Sequence, residues 1–169
     1  MTLPIQPIPQ HGNGETAASS SLDELSIGDA IRQCPFFDVF SRDLQATIAN
    51  YLELFTVVAG DKLFAKGDWG DFMGFVVAGE LKVFLDEGPG RTFVAKMGPG
   101  DVFGEMAVVD DLPRSASCSA TTGGRVIVLF RESMRKMIHN EPELSMLLMF
   151  QIARTLSLRL RSANALIAD

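Results

Sequence analysis

The chain has 169 residues, 47% of them hydrophobic and 21% charged, with a formal net charge of −6. That suffices for one domain with its own core; no run approaches the ~18 apolar residues of a membrane span, and the acidic balance argues against a general binder of nucleic acid or anionic membrane. Two cysteines, Cys34 and Cys118, and two histidines, His11 and His139, are too few for a disulfide framework or a four-thiolate cluster and leave little for a His-based metal site.

Residues 1–21 read as a disordered arm, with prolines at 4, 7 and 9, then His11-Gly-Asn-Gly14 and Ser19-Ser20-Ser21. Such a segment buries too little apolar surface to offset its ordering entropy. It also lacks the basic end and long apolar stretch of a secretory signal, so the expected setting is the cytoplasm, with both thiols reduced. The folded domain is expected over 22–169. From Leu22 the pattern turns helical, with Leu22, Leu25, Ile27 and Ile31 among acids. Cys34-Pro35 should interrupt it, because a residue before proline avoids the helical region. Ser41 reads as the N-cap of a second helix that carries Leu44, Ile48, Tyr51 and Leu52 on one side.

Between residues 54 and 130 the texture changes. Short β-rich stretches (55–58, 62–65, 74–78, 81–85, 91–96, 117–121 and 125–129) alternate with glycine turns at intervals of about 7–12 residues. Glu87-Gly-Pro-Gly90 has the composition of a hairpin loop. Regular short strands with turn signals mean a sandwich, jelly roll or small barrel. After Phe130 the pattern is helical again to residue 167: a short helix over 131–138, then a long one opened by Asn140-Glu141-Pro142, with proline in the first turn. On the long helix Met146, Met149, Ala153, Leu156, Leu160, Ala163 and Ile167 advance by alternating threes and fours. That period suits a two-helix interface and hence a homodimer; packing on the chain's own strands is the other reading. Leu147, Leu148, Phe150, Ile152 and Leu158 lie off the seam, as on a helix placed between its own domain and a partner.

The segment from Pro99 to Ser117 carries the most chemistry. Gly98 and Gly100 turn the chain, and Gly104 permits close backbone approach. Glu105–Val109 has room for one helical turn whose free amides face a ligand. Asp110-Asp111-Leu-Pro113 then loops back to deliver Arg114 beside those amides. Helix-start amides plus one arginine suit a single phosphate. Glu105 would repel that anion unless its carboxylate accepted a hydrogen bond from a neutral hydroxyl; phosphate and hydroxyl together describe a nucleotide. On spacing alone, a Glu105–Arg114 ion pair closing a loop accounts equally well for the same residues. Asp110 and Asp111 read as a solvated pair rather than a metal site, Trp69 as a turn aromatic packed on the rim of the strands, and Cys118 as a small buried hydrophobe.

The segment Phe103-Gly-Glu-Met-Ala107 … Pro113-Arg-Ser-Ala-Ser117 resembles the phosphate-binding cassette of the cyclic nucleotide-binding domain family. The resemblance extends upstream to Val58-Ala-Gly-Asp61, Phe64-Ala-Lys-Gly67 and Val76-Val-Ala-Gly-Glu-Leu-Lys-Val-Phe84, and downstream to Glu141-Pro142 and Ile152-Ala-Arg-Thr-Leu156. With the strand pattern it implies an α+β fold: a β-roll or jelly-roll barrel of about eight antiparallel strands, flanked by N-terminal helices and a long C-terminal helix. It also implies roles. Glu105 would accept the ribose 2′-hydroxyl. Gly104, Met106 and Ala107 would offer backbone contacts to ribose and phosphate. Arg114 would grip the cyclic phosphate through its planar fork, joined by Ser115 and Ala116. The base would be capped by the last helix, with Thr155 and Arg159 near the capping position. The expected function is that of a non-enzymatic sensor of a cyclic purine mononucleotide. The ligand would be cAMP, with cGMP open because Ser115 does not decide between them; no cofactor is implied.

Other classes are weaker expectations. Members of the activator branch follow the dimer helix with a helix-turn-helix, whereas this chain stops at Asp169 and is acidic, so direct DNA binding is not expected. An enzyme on a related barrel would carry several inward histidines, which His11 and His139 do not supply. A ligand-free barrel used for assembly would have no need of the glutamate and arginine.

Overall fold

The structure, a computed structural model, describes residues 25–87 and 90–167; the predicted arm and the tip of the predicted hairpin loop lie outside them. Helix α1 (Ile27–Gln33) is capped by Ser26, whose hydroxyl accepts from the Asp29 amide. The helix ends at Cys34, and a 3-10 turn, Pro35–Phe37, follows the proline. Ser41 caps α2 (Arg42–Ala49) by accepting from the Leu44 amide at 3.4 Å.

Among the described residues eight strands come next: β1 (Glu53–Val57), β2 (Lys62–Phe64), β3 (Phe72–Ala78), β4 (Leu81–Glu87), β5 (Gly90–Met97), β6 (Val102–Phe103), β7 (Ser117–Ala120) and β8 (Gly124–Phe130). Helix α3 (Glu105–Asp110) lies between β6 and β7, and α4 (Arg131–Asn140) and α5 (Pro142–Ile167) follow β8. All pairings are antiparallel, in two four-stranded sheets ordered β1-β8-β3-β6 and β2-β7-β4-β5. The sheets form a jelly roll rather than a closed barrel. β6 is the strand that the glycine pattern does not announce, since two residues show no period.

Strand alternation explains the layers. In β3, Met73, Phe75 and Val77 belong to a core shared with α1, α2, α4 and α5, while Phe72 and Val76 belong to a second core that also draws on β2, β4 and β7 of the other sheet. β8 divides the same way, Ile127 and Leu129 on one side and Val126 and Val128 on the other. Successive strand residues point to opposite faces, so a run apolar at nearly every position is a strand covered on both sides. The order is therefore helices, first sheet, second sheet.

Helix α5 buries Leu144, Leu148 and Ile152 beside Met134 and Met137 of α4. The predicted seam straddles the edge of that buried face. Met149 and Leu156 pack partly on the chain's own core, whereas Met146, Ala153, Leu160 and Ala163 are exposed; the side chain of Ile167 lies outside the described residues. Trp69 departs from expectation. Gly70 is drawn so close to α3 that a Cβ there would stand 2.3 Å from the Ala107 Cβ, and the adjoining Trp69 is left 61% exposed instead of packing on the rim.

Candidate functional site

A cleft of about 740 Å³ opens between the second sheet, the cassette segment 101–116 and α5, within the size range of small-molecule sites. It is lined by every residue that the sequence places against a ligand: Gly104, Glu105, Met106, Ala107, Arg114, Ser115, Ala116, Thr155 and Arg159. Phe64, Val83, Met97 and Leu158 add an apolar wall. In the sequence these four carry no sign of a place at a site, because they are ordinary strand and helix apolars that only the fold brings together. Ala163, read as a seam residue, also lines this cleft.

Gly104 starts α3 from the left-handed region at φ +69°, and a Cβ there would stand 2.6 Å from Arg114 Nη1. Only glycine satisfies both conditions without strain. The Gly104 cap has no side chain to accept from α3, so among the described residues first-turn amides beyond that of Glu105 itself are left for another acceptor.

Arg114 is 3% exposed. Its backbone N–H donates to the Asp68 carbonyl at 2.8 Å, and its carbonyl accepts from Gly67 N–H at 2.8 Å, which ties the returning cassette to the β2–β3 turn. Its guanidinium carbon lies 4.2 Å from the Phe64 ring centroid and 4.5 Å from that of Phe72. Cation–π contacts of this kind hold the guanidinium plane. Nη1 donates to the Gly104 carbonyl at 2.6 Å and Nη2 to the Phe72 carbonyl at 2.7 Å, while buried Nε has no hydrogen-bond partner among the described residues. Burial lowers its pKa from the ordinary arginine value, opposed by nearby Asp71, Asp68 and Glu105; the group stays charged.

Glu105 is 6% exposed. Burial pushes its carboxyl above its ordinary value, opposed by its own backbone N–H and by the charges of Arg159 and Arg114. The loop-closing Glu105–Arg114 pair is not what forms. Arg159 Nη1 reaches across from α5 to Glu105 Oε1 at 3.2 Å, and its Nη2 approaches Asp101 Oδ1 at 3.4 Å. The Thr155 hydroxyl donates within its own helix to the Gln151 carbonyl at 3.0 Å. Ser115 Oγ lies 3.7 Å from Met106 Sδ. The cleft thus holds two guanidinium groups, Arg114 at the cassette and Arg159 on the helix, with one buried carboxylate next to the first and bound to the second. Asp101 was outside the predicted set; it lies 58 positions from Arg159, beyond the reach of any local pattern.

Asp110 and Asp111 are exposed, and Asp111 pairs with Arg131. The described residues contain no cluster that could hold a metal ion. Cys118 is fully buried, its thiol pushed up to about 12 by desolvation, so it is an inert part of the core.

The jelly roll and its charged, largely apolar cleft make a frame suited to binding a small molecule. The chain belongs to the cyclic nucleotide-binding domain family, whose profile matches residues 54–141. The CRP-like cAMP-activated global transcriptional regulator of Mycobacterium tuberculosis is 32% identical over 125 residues, 73% of this chain and 54% of that one. A cAMP-dependent protein kinase regulatory subunit of Aspergillus niger is 35% identical over 96 residues, 56% of this chain and 22% of that one. The crystal structure of a cyclic nucleotide-binding domain from Methylobacillus flagellatus superimposes with a TM-score of 0.74 at 28% identity, covering 85% of this chain and 81% of that one. The chain spans about half the length of the mycobacterial regulator. No helix among the described residues is long and apolar enough to cross a membrane.

Proposed function

We propose that this chain senses a cyclic purine mononucleotide, cAMP first, and performs no chemistry on it. One observation carries the reading: a buried arginine and a buried glutamate, not paired with each other, share one cleft with the uncapped start of a helix. Arg114, with Ser115 and Ala116, takes the cyclic phosphate. Glu105 exchanges Arg159 for the ribose 2′-hydroxyl, and the Gly104, Met106 and Ala107 backbone supports both. The base lies on the apolar wall under α5, where Thr155 and Arg159 cap it once Arg159 is released. A ligand that prefers the closed arrangement shifts the population toward it in proportion to that preference.

The names of the two relatives, both cAMP-responsive regulators, support cAMP and a regulatory output. The exposed apolar residues of α5, Met146 and Leu160 foremost, support a homodimer along Met149, Ala153, Leu156, Leu160, Ala163 and Ile167. The mycobacterial regulator also favours a second reading, the effector domain of a transcription regulator, which retardation of duplex DNA by the whole protein would test. The two free, buried thiols support the cytoplasm as its compartment.

Isothermal titration with cAMP, cGMP and linear AMP tests the main reading. Truncating one member of a buried charge contact costs about 2–5 kcal/mol, so Arg114→Ala should bind cAMP about 30-fold to several-thousand-fold more weakly. Equal binding by Arg114→Ala and the unaltered chain would refute it.

A further inference from the structure

A second arginine holds the cassette from outside the cleft. Arg131, the first residue of α4, donates from Nη2 to the Ala107 carbonyl at 2.6 Å and to the Gly70 carbonyl at 2.6 Å. Its Nη1 pairs with Asp111, and its backbone N–H donates to the Asp71 carbonyl at 2.7 Å. The side chain is 15% exposed, and buried Nε has no hydrogen-bond partner among the described residues.

The arrangement parallels that of Arg114. Arg114 joins the carbonyls of Gly104 and Phe72, whereas Arg131 joins those of Ala107 and Gly70. Two guanidinium groups thus cross-link α3 to the entry of β3, one at each end of the helix. α3 has six residues, so Ala107 is among the last four carbonyls, which lack partners within the helix; a cation there is also favoured by the helix dipole. Asp111, the C-cap, is the one non-glycine residue with positive φ (+58°) among the described residues. Aspartate tolerates that conformation better than most, and the ion pair with Arg131 anchors it. Gly70 leaves no room for a side chain against Ala107, so the turn and the helix meet backbone to helix, with Arg131 closing the joint.

Resting on the nucleotide-binding reading above, we propose that Arg131 is a positioning residue for the cassette. It touches no ligand; it sets nucleotide affinity by fixing where α3 presents its amides and Glu105, and through its place in α4 it ties that position to the C-terminal helices. Because α3 serves the phosphate and ribose common to both nucleotides, its displacement weakens cAMP and cGMP alike.

The test uses the full chain with Arg131→Gln, Asp111→Gly and the double variant, each first shown to be folded at the assay temperature by its melting curve. Orphaning the two carbonyls and Asp111 should weaken cAMP and cGMP by the same factor, about tenfold. The Asp111→Gly loss should fail to add to that of Arg131→Gln, as for members of one network. Hydrogen exchange on the unliganded chain should show faster amides in α3 and in residues 67–70, with β8 unchanged. An Arg131→Gln variant that melts earlier yet binds cAMP as tightly as the unaltered chain would reduce Arg131 to a structural residue and overturn the proposal. If the unaltered chain binds neither nucleotide, the preceding reading fails by itself; unchanged exchange in α3 would then overturn this one as well.

Discussion

Arg114 and Glu105 are each unfavourable to bury and are held by different means. The arginine has two aromatic faces and two carbonyls around it; the glutamate has its own backbone N–H and a guanidinium from a distant helix. Since burial raises the Glu105 pKa, the folded state takes up a proton more readily than the unfolded one. Stability should therefore fall as pH rises through the folded-state value of this carboxyl. A glutamine cannot titrate, so the midpoint of Glu105→Gln should lack this decline and gain on that of the unaltered chain as pH increases through that window, read by thermal melting from the ordinary glutamate value upward. A constant difference at every pH would show that Glu105 does not titrate in that range. The same variant should bind cAMP about 10–100-fold more weakly, the range for a hydrogen bond to a charged acceptor.

Among the elements, β3 and β6 place the cassette. Gly74 of β3 pairs with Phe103 of β6, and a Cβ at Gly74 would stand 2.2–2.8 Å from three atoms of that ring. Phe103 is fully buried and directly precedes Gly104. Gly74→Ala should therefore cost about 1–3 kcal/mol, as overpacking does, and should weaken nucleotide binding by displacing the start of α3; urea denaturation and titration read the two effects. The strands were legible because turn glycines and alternating apolars are local signals. Glu105 and Arg114 were legible because the whole cassette lies within one short stretch of chain. The partner of Arg159 was not, since Glu105 lies 54 positions away. Nor was the Phe64–Arg114–Phe72 stack, which exists only after β2 and β3 have found their neighbours. The seam of α5 was visible as a period, but a period does not say which part of the stripe the chain's own core will take.

For the whole molecule, α5 leaves Met146, Phe150 and Leu160 more than half exposed, and grouped apolar side chains facing water mark interaction sites. Light scattering at micromolar concentration should return twice the mass of the chain, and Leu160→Glu should return it once, because a charge in an apolar seam is costly to bury. A single-chain mass for the unaltered protein would count against the proposed homodimer. The sheet carrying β3 and β8 has apolar side chains pressed into packing on both of its faces. Such a slab cannot slide without opening voids on one side or the other. Under the proposed function it serves as a fixed bed, so that whatever the arriving nucleotide sets in motion runs around its margin, from the short cassette helix to the long terminal one.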